Sequence, residues 1–154
     1  MKIEKCTVFD YNQILENIVG FWGSDRTLCL HHPLFIHEFG NTAYVVKEKD
    51  NVIAYLFGFL SQTSSTAYVH LIGVHKSKQN MGIGTKLYNN FISYAKLNDC
   101  NKLKAITSPT NILSINFHKK MGMHLLGNKN NNGVEVIKNY SGNGQDRVVF
   151  LMNI

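Results

Sequence analysis

The sequence predicts one α+β domain. Runs of β-branched and aromatic residues recur through the first half of the chain, and two stretches with helical apolar spacing follow in the second half. The length of 154 residues, 44% of them hydrophobic, suits one buried core and leaves little for a second, so residues 1–154 read as a single domain. Residues 3–9 are an expected opening strand. Asp10 is placed to cap a helix on which Ile14, Leu15, Ile18 and Val19 recur at helical spacing, fading near Gly20 and Gly23. Between residues 21 and 40 one short helix is expected, with Pro33 in its first turn and Gly40 at its end. Residues 42–46 and 52–57 read as two antiparallel strands joined by a hairpin turn at 48–51, and a third strand, 67–74, follows the Ser/Thr-rich loop 61–66. A helix is predicted from about residue 82 to 96, with Leu87, Phe91, Ile92 and Ala95 on one face. A strand at 103–107, a helix at 111–121 stopped by Gly122 and a last strand at 147–152 complete the pattern, which is mostly antiparallel early. The asparagine-rich residues 128–133 read as a polar loop.

Composition narrows the partners. The formal charge of +6 comes from lysine: only Arg26 and Arg147 are arginines among 16 basic residues. Nucleic-acid recognition usually needs arginine forks, so no nucleic-acid partner is expected, whereas a small anionic ligand would be drawn to such a surface. The first residues lack the continuous apolar stretch of a leader or a spanning helix, which predicts a soluble, cytoplasmic protein with no membrane partner. Cys6, Cys29 and Cys100 form no CxxC pair and read as ordinary thiols, and the cluster Trp22, Asp25, Arg26, His31, His32, His37 and Glu38 has no metal-ligand spacing, so no metal is expected. A homodimer is compatible with the sequence.

The segment richest in chemical implication joins the strand ending at Val74 to the helix beginning near Gly82, and its key is Gln79-x-x-Gly82-x-Gly84. Two glycines let backbone amides approach an anion closely, and a helix start adds unpaired N–H groups and the positive end of its dipole. Such a strand-turn-helix is a diphosphate cradle. No third glycine follows at the dinucleotide spacing, and Gly84 leads into Thr85-Lys86 where a P-loop needs Gly-Lys-Ser/Thr, so both rivals are set aside.

Together with the later pattern of Asn111, Ser114, His118 and Gly122, the loop Gln79-Asn80-Met81-Gly82-Ile83-Gly84 after Leu71-Ile72-Gly73-Val74 resembles the two signature motifs of GNAT acetyltransferases. The resemblance implies a central, mostly antiparallel mixed sheet of about six to seven strands flanked by about four helices. It implies that acetyl-CoA is the cosubstrate, with Leu71, Ile72, Gly73 and Val74 offering backbone groups to its pantetheine arm. Gln79, Asn80, Met81, Gly82, Ile83, Gly84 and Thr85 would wrap its pyrophosphate, and Asn111 and His118 would contact it further along. Met81 stands where many members carry a basic residue, and His118 stands where many carry the tyrosine that protonates the departing thiolate.

The implied reaction is transfer of an acetyl group from acetyl-CoA to the primary amine of a small molecule, amino acid, peptide or protein. An alkylamine with pKa near ~10.4 is neutral in only about one part in a thousand at pH 7, so a base or a desolvating pocket must help. His70 is the first candidate base, since imidazole titrates near neutrality, and Tyr68 shares its strand face. His118 is the candidate acid and Tyr140 the reserve. The resemblance places the acceptor near Trp22, Asp25, Arg26, His32, Glu38 and Tyr68, with Glu135 and Asp146 further acids for a cationic amine. A non-catalytic acyl-CoA-binding module that keeps the cradle but lacks turnover is the alternative.

Overall fold

The structure, a computed structural model, describes residues 1–154. Strand β1 (Ile3–Lys5) leads to helices α1 (Val8–Glu16), α2 (Ile18–Trp22) and α3 (Leu34–His37), then to β2 (Ala43–Glu48), β3 (Asn51–Leu60) and β4 (Thr66–Val74). Helix α4 (Ile83–Leu97), β5 (Lys102–Thr107) and α5 (Ile112–Lys120) follow, and β6 (His124–Leu126), β7 (Asn128–Lys129), β8 (Glu135–Val136) and β9 (Val148–Asn153) close the chain. The main mixed sheet has seven strands in the order β1-β2-β3-β4-β5-β9-β6, and β7 and β8 pair separately. The α+β expectation therefore holds, with three short strands, β6 to β8, that the sequence pattern did not reveal.

By contacts the chain forms two compact units, Met1–Phe59 with Val69–Tyr94, and Leu60–Tyr68 with Ala95–Ile154. In the first unit β1 and β2 pair antiparallel from Ile3↔Val46 to Lys5↔Tyr44. The β2–β3 hairpin turns through Lys49 and Asp50, both at positive φ (49° and 66°), the twist that suits a two-residue connection between antiparallel strands. Its core gathers Ile14, Phe21, Val45, Tyr55, Phe57 and Leu71. In the second unit β9 pairs with both β5 and β6, and Val148, Val149 and Phe150 are wholly buried, as a strand flanked on both edges and covered on both faces should be.

Several boundaries differ from the sequence reading. The opening strand stops at Lys5 because Thr7, not Asp10, caps α1. Asp10 is the third helical residue of a capping box: its N–H donates to Thr7 Oγ1 at 3.2 Å and its carboxylate accepts from Thr7 N–H at 2.9 Å. The carboxylate is also paired with Lys47 at 3.3 Å. The helix is interrupted at Asn17, and α2 ends on a left-handed Gly23. Pro33 precedes α3 as its cap, and Gly40 opens a separate 3₁₀ turn, Gly40–Thr42, instead of ending the helix. Residues 128–133 are only partly loop. Asn130 Oδ1 accepts from the N–H groups of Asn132 and Val134, a local side-chain turn that joins β7 to β8.

Candidate active site

Burial alternates strictly along β4: Ala67, Val69, Leu71 and Gly73 are buried, while Tyr68, His70, Ile72 and Val74 share the half-buried face. Gly73 leaves no room for a side chain. A Cβ there would lie 2.6 Å from Cε1 of Tyr55 and 3.0 Å from its hydroxyl, so the glycine lets the tyrosine of β3 lie directly against the backbone of β4.

Beyond Val74 the chain leaves the strand and tightens into a 3₁₀ turn, Lys76–Lys78, capped by the His75 imidazole, which accepts from Ser77 N–H at 3.3 Å. Gln79 reaches back, its Nε2–H donating to the Val74 carbonyl at 3.3 Å. Asn80 and Gly82 both take left-handed backbone, φ 62° and 74°, and nothing lies within 4 Å of the Cβ that Gly82 lacks. Glycine is needed at 82 by conformation, and the space beside it is open. Helix α4 starts at Ile83, and Lys86 N–H closes on the Gly82 carbonyl at 3.1 Å, so the amides of Ile83, Gly84 and Thr85 belong to the first turn, which has no intrahelical acceptors. Gln79, Asn80, Met81, Gly82 and Thr85 are exposed, whereas Ile83 and Gly84 are buried. None of these side chains brings negative charge, and the nearby Lys78 is spent on Glu48 at 2.6 Å. Backbone donors at an open helix start, with no acid in the turn itself, fit a diphosphate.

Four residues before Val74, His70 is held by two contacts. Its Nε2 lies 2.9 Å from the Leu30 carbonyl and its ring stacks on Phe35 at 4.4 Å and 14°. A carbonyl only accepts, so Nε2 carries the hydrogen and Nδ1 keeps the lone pair. Burial pushes the imidazole below its ordinary value and the Leu30 hydrogen bond partly opposes this, so the ring is neutral near pH 7. A neutral imidazole with a defined free lone pair can accept a proton.

Leu30 belongs to a 3₁₀ turn, Leu28–Leu30, in the segment expected to flank the acceptor. Trp22 is half-buried and its indole N–H points inward to the Tyr55 hydroxyl at 2.6 Å. Asp25, Arg26, His32 and Glu38 are exposed, and His32 Nδ1 accepts from Leu34 N–H at 3.1 Å. Three residues the sequence reading did not single out matter here: Tyr55, Phe35 and Leu30. Their signal was slight, a tyrosine in an apolar strand whose buried hydroxyl must find a partner.

The remaining candidates lie in the second unit. Asn111 caps α5, its side-chain oxygen accepting from Ser114 N–H at 3.2 Å. His118 is 3% exposed and stacks on Phe150 at 4.3 Å and 10°, with Nδ1 2.7 Å from the Ser114 carbonyl. Burial pushes its pKa down to about 4, so at neutral pH the imidazole is uncharged. Burial raises the Tyr68 phenol, the charge of Tyr140 adds to the rise and Arg147 opposes it. Tyr140 is 36% exposed with the Lys104 ammonium 5.3 Å from its ring centre. Asp146 is occupied by Asn139 N–H at 2.9 Å, and Glu135 is half-buried in β8. No group of three or more histidine, cysteine or acidic residues is arranged to hold a metal ion, and no helix is long and apolar enough to cross a membrane.

Residues 11–123 match the family described as "Acetyltransferase (GNAT) family". A comparison with curated protein sequences finds no match. Among solved structures, the chain is similar to a GNAT-family protein from Desulfovibrio desulfuricans at 15% identity and TM-score 0.80, covering 99% of this chain and 98% of that one. It is also similar to Ard1 from Thermoplasma volcanium, at 17% identity and TM-score 0.75 with 99% and 97% covered. An aminoglycoside 6'-N-acetyltransferase complexed with coenzyme A matches at 14% identity and TM-score 0.71, with 99% and 97% covered. At these identities the likeness establishes the shared fold.

Proposed function

Because this chain belongs to the GNAT family of acetyltransferases, we propose that it is an N-acetyltransferase moving an acetyl group from acetyl-CoA to a primary amine by direct attack in a ternary complex. The observation that carries this reading is the turn from β4 into α4, where left-handed Asn80 and Gly82 open the first amides of a helix toward an unfilled space. Gln79 to Thr85 would hold the pyrophosphate, and the backbone of Ile72 to Val74 the pantetheine arm. Acetyl-CoA supplies an activated thioester carbonyl. The protein itself must orient the amine, shield it from water and remove its proton. His70 would take that proton, with its Nε2–H committed to Leu30 and Nδ1 left to accept. A backbone amide near Ile72 to Val74 would steady the oxygen charge that develops as the amine attacks. Exposed Asp25 and Glu38 would draw a cationic amine to the rim.

Calorimetric titration of acetyl-CoA, with free CoA and NADPH as controls, is the first test, followed by thiol release with a panel of primary amines. Micromolar binding confined to CoA species and thiol release with one amine class is expected. Failure to bind would return the cradle to a structural turn, and binding without thiol release from any amine would leave a binding module. His70→Gln should lower kcat/KM for the amine by about 10²-fold while leaving acetyl-CoA affinity unchanged. In the wild type, kcat/KM should show an acidic limb below about pH 6.5, because protonation silences a base whose pKa is depressed from that value.

A further inference from the structure

Beneath the turn that holds His70 runs a chain of hydrogen bonds whose direction is fixed throughout. Trp22 Nε1 has only a hydrogen to give, so the Tyr55 hydroxyl oxygen, 2.6 Å away, accepts it. That leaves the hydroxyl hydrogen for His31 Nε2, also at 2.6 Å, which must therefore be the unprotonated nitrogen. The hydrogen of His31 then sits on Nδ1 and goes to the Thr27 carbonyl at 2.8 Å. Tyr11 of α1 adds a bond from its hydroxyl to the backbone carbonyl of His31 at 2.7 Å. Tyr55 is wholly buried and His31 is 6% exposed, so the bonds that His31 makes to Tyr55, Thr27 and Tyr11 lie away from water, where an unmet partner is costly.

The consequence reaches the next imidazole. Thr27 and His31 bracket the Leu28–Leu30 turn, and the Leu30 carbonyl is the acceptor that keeps the hydrogen of His70 on Nε2. His31 and His70 thus hold opposite tautomers, each set by a carbonyl of the same turn. Nothing in the turn's own side chains provides this: Leu28, Cys29 and Leu30 are exposed, and the segment is fastened from below.

We propose that Tyr55 and His31 are positioning residues for amine deprotonation, fixing the 27–31 turn so that its Leu30 carbonyl selects the His70 tautomer with a free Nδ1. This rests on the reading of His70 as the base, and the test separates the two. The informative variant is Tyr55→Phe, which keeps the ring against Gly73 and removes only the hydroxyl that joins Trp22 to His31. Imidazole ¹⁵N NMR on the full chain reads both tautomers directly. In the wild type His70 should show a protonated Nε2 and bare Nδ1, and His31 the reverse. In Tyr55→Phe the single His70 tautomer should give way to a mixture. Its kcat/KM for the amine should fall about tenfold, while acetyl-CoA affinity stays within about twofold.

A wild-type His70 with its hydrogen on Nδ1 would overturn the proposal without any variant. An unchanged His70 spectrum and unchanged kcat/KM in Tyr55→Phe would overturn it as well. If Tyr55→Phe does not fold, Trp22→Phe at the half-buried end of the chain serves: it should lower kcat/KM in the same sense, and full activity would count against the proposal. Full turnover in His70→Gln would remove the base assignment alone, leaving the tautomer coupling to stand or fall on its spectrum.

Discussion

Replacing Gly82 by alanine isolates one property of the cradle. The backbone at 82 has φ 74°, and an added Cβ would meet nothing within 4 Å. The substitution therefore introduces no clash and no charge, only the cost of holding an L-residue in left-handed backbone, about 1–2 kcal/mol. The unliganded turn can shed that cost by relaxing, and it must then be restored when the diphosphate binds. The dissociation constant of acetyl-CoA should rise by the same free energy, about 5- to 30-fold. Gly133 is the matched control: φ 76°, equally open, but in the turn between β7 and β8. Gly133→Ala should incur a similar conformational cost and leave acetyl-CoA affinity untouched. Calorimetry on the wild type and both variants, with melting temperatures alongside, is the assay. If Gly82→Ala binds within about twofold of wild type, or if Gly133→Ala weakens binding as much, the left-handed cradle is not what binds the pyrophosphate.

Other outcomes follow from the same geometry. Gly73→Ala would press a methyl to within 2.6 Å of the Tyr55 ring and should cost about 1–3 kcal/mol of stability, read as a lowered urea midpoint; an unchanged midpoint would mean that β3 and β4 adjust freely. His118, neutral when folded with a pKa near 4, binds a proton more readily when unfolded, so stability is complete above about pH 6.5 and falls as pH drops toward 4, by roughly 3 kcal/mol. His118→Phe should flatten that slope, and an equally steep acid loss in the variant would place its origin elsewhere. Tyr140→Phe keeps the ring beneath Lys104 and removes the phenol; a fall in kcat with unchanged acceptor KM is expected if the phenol protonates the departing thiolate, and equal kcat would leave it a surface residue.

What could be read without coordinates was whatever is local. The two-residue period of β4 put Tyr68 and His70 on one face, the hairpin at 48–51 followed from strand runs on either side, and the glycine spacing after Val74 located the left-handed turn into α4. Local patterns were weakest where two signals competed. Thr7 and Asp10 are both capping residues, and only the reciprocal hydrogen bonds show that Thr7 occupies the cap. The strands β6, β7 and β8 are too short for alternation to register; β7 lies within the asparagine-rich stretch 128–133, which has no apolar pattern, and β8 follows it.

The sequence by itself determined the turn from β4 into α4, because its shape depends on consecutive backbone conformations and on the glycine at 82 that permits one of them. It determined the α+β class for the same reason, since apolar periodicity is a property of neighbouring residues. Only the tertiary structure decided what the histidines are. His31, His70 and His118 look alike in sequence, yet one is locked into a buried relay, one keeps a free nitrogen on a half-buried face, and one lies neutral against Phe150. Their tautomers and charge are set by the Thr27, Leu30 and Ser114 carbonyls, by Tyr55 from β3 and by burial, and such partners are chosen by how the chain packs.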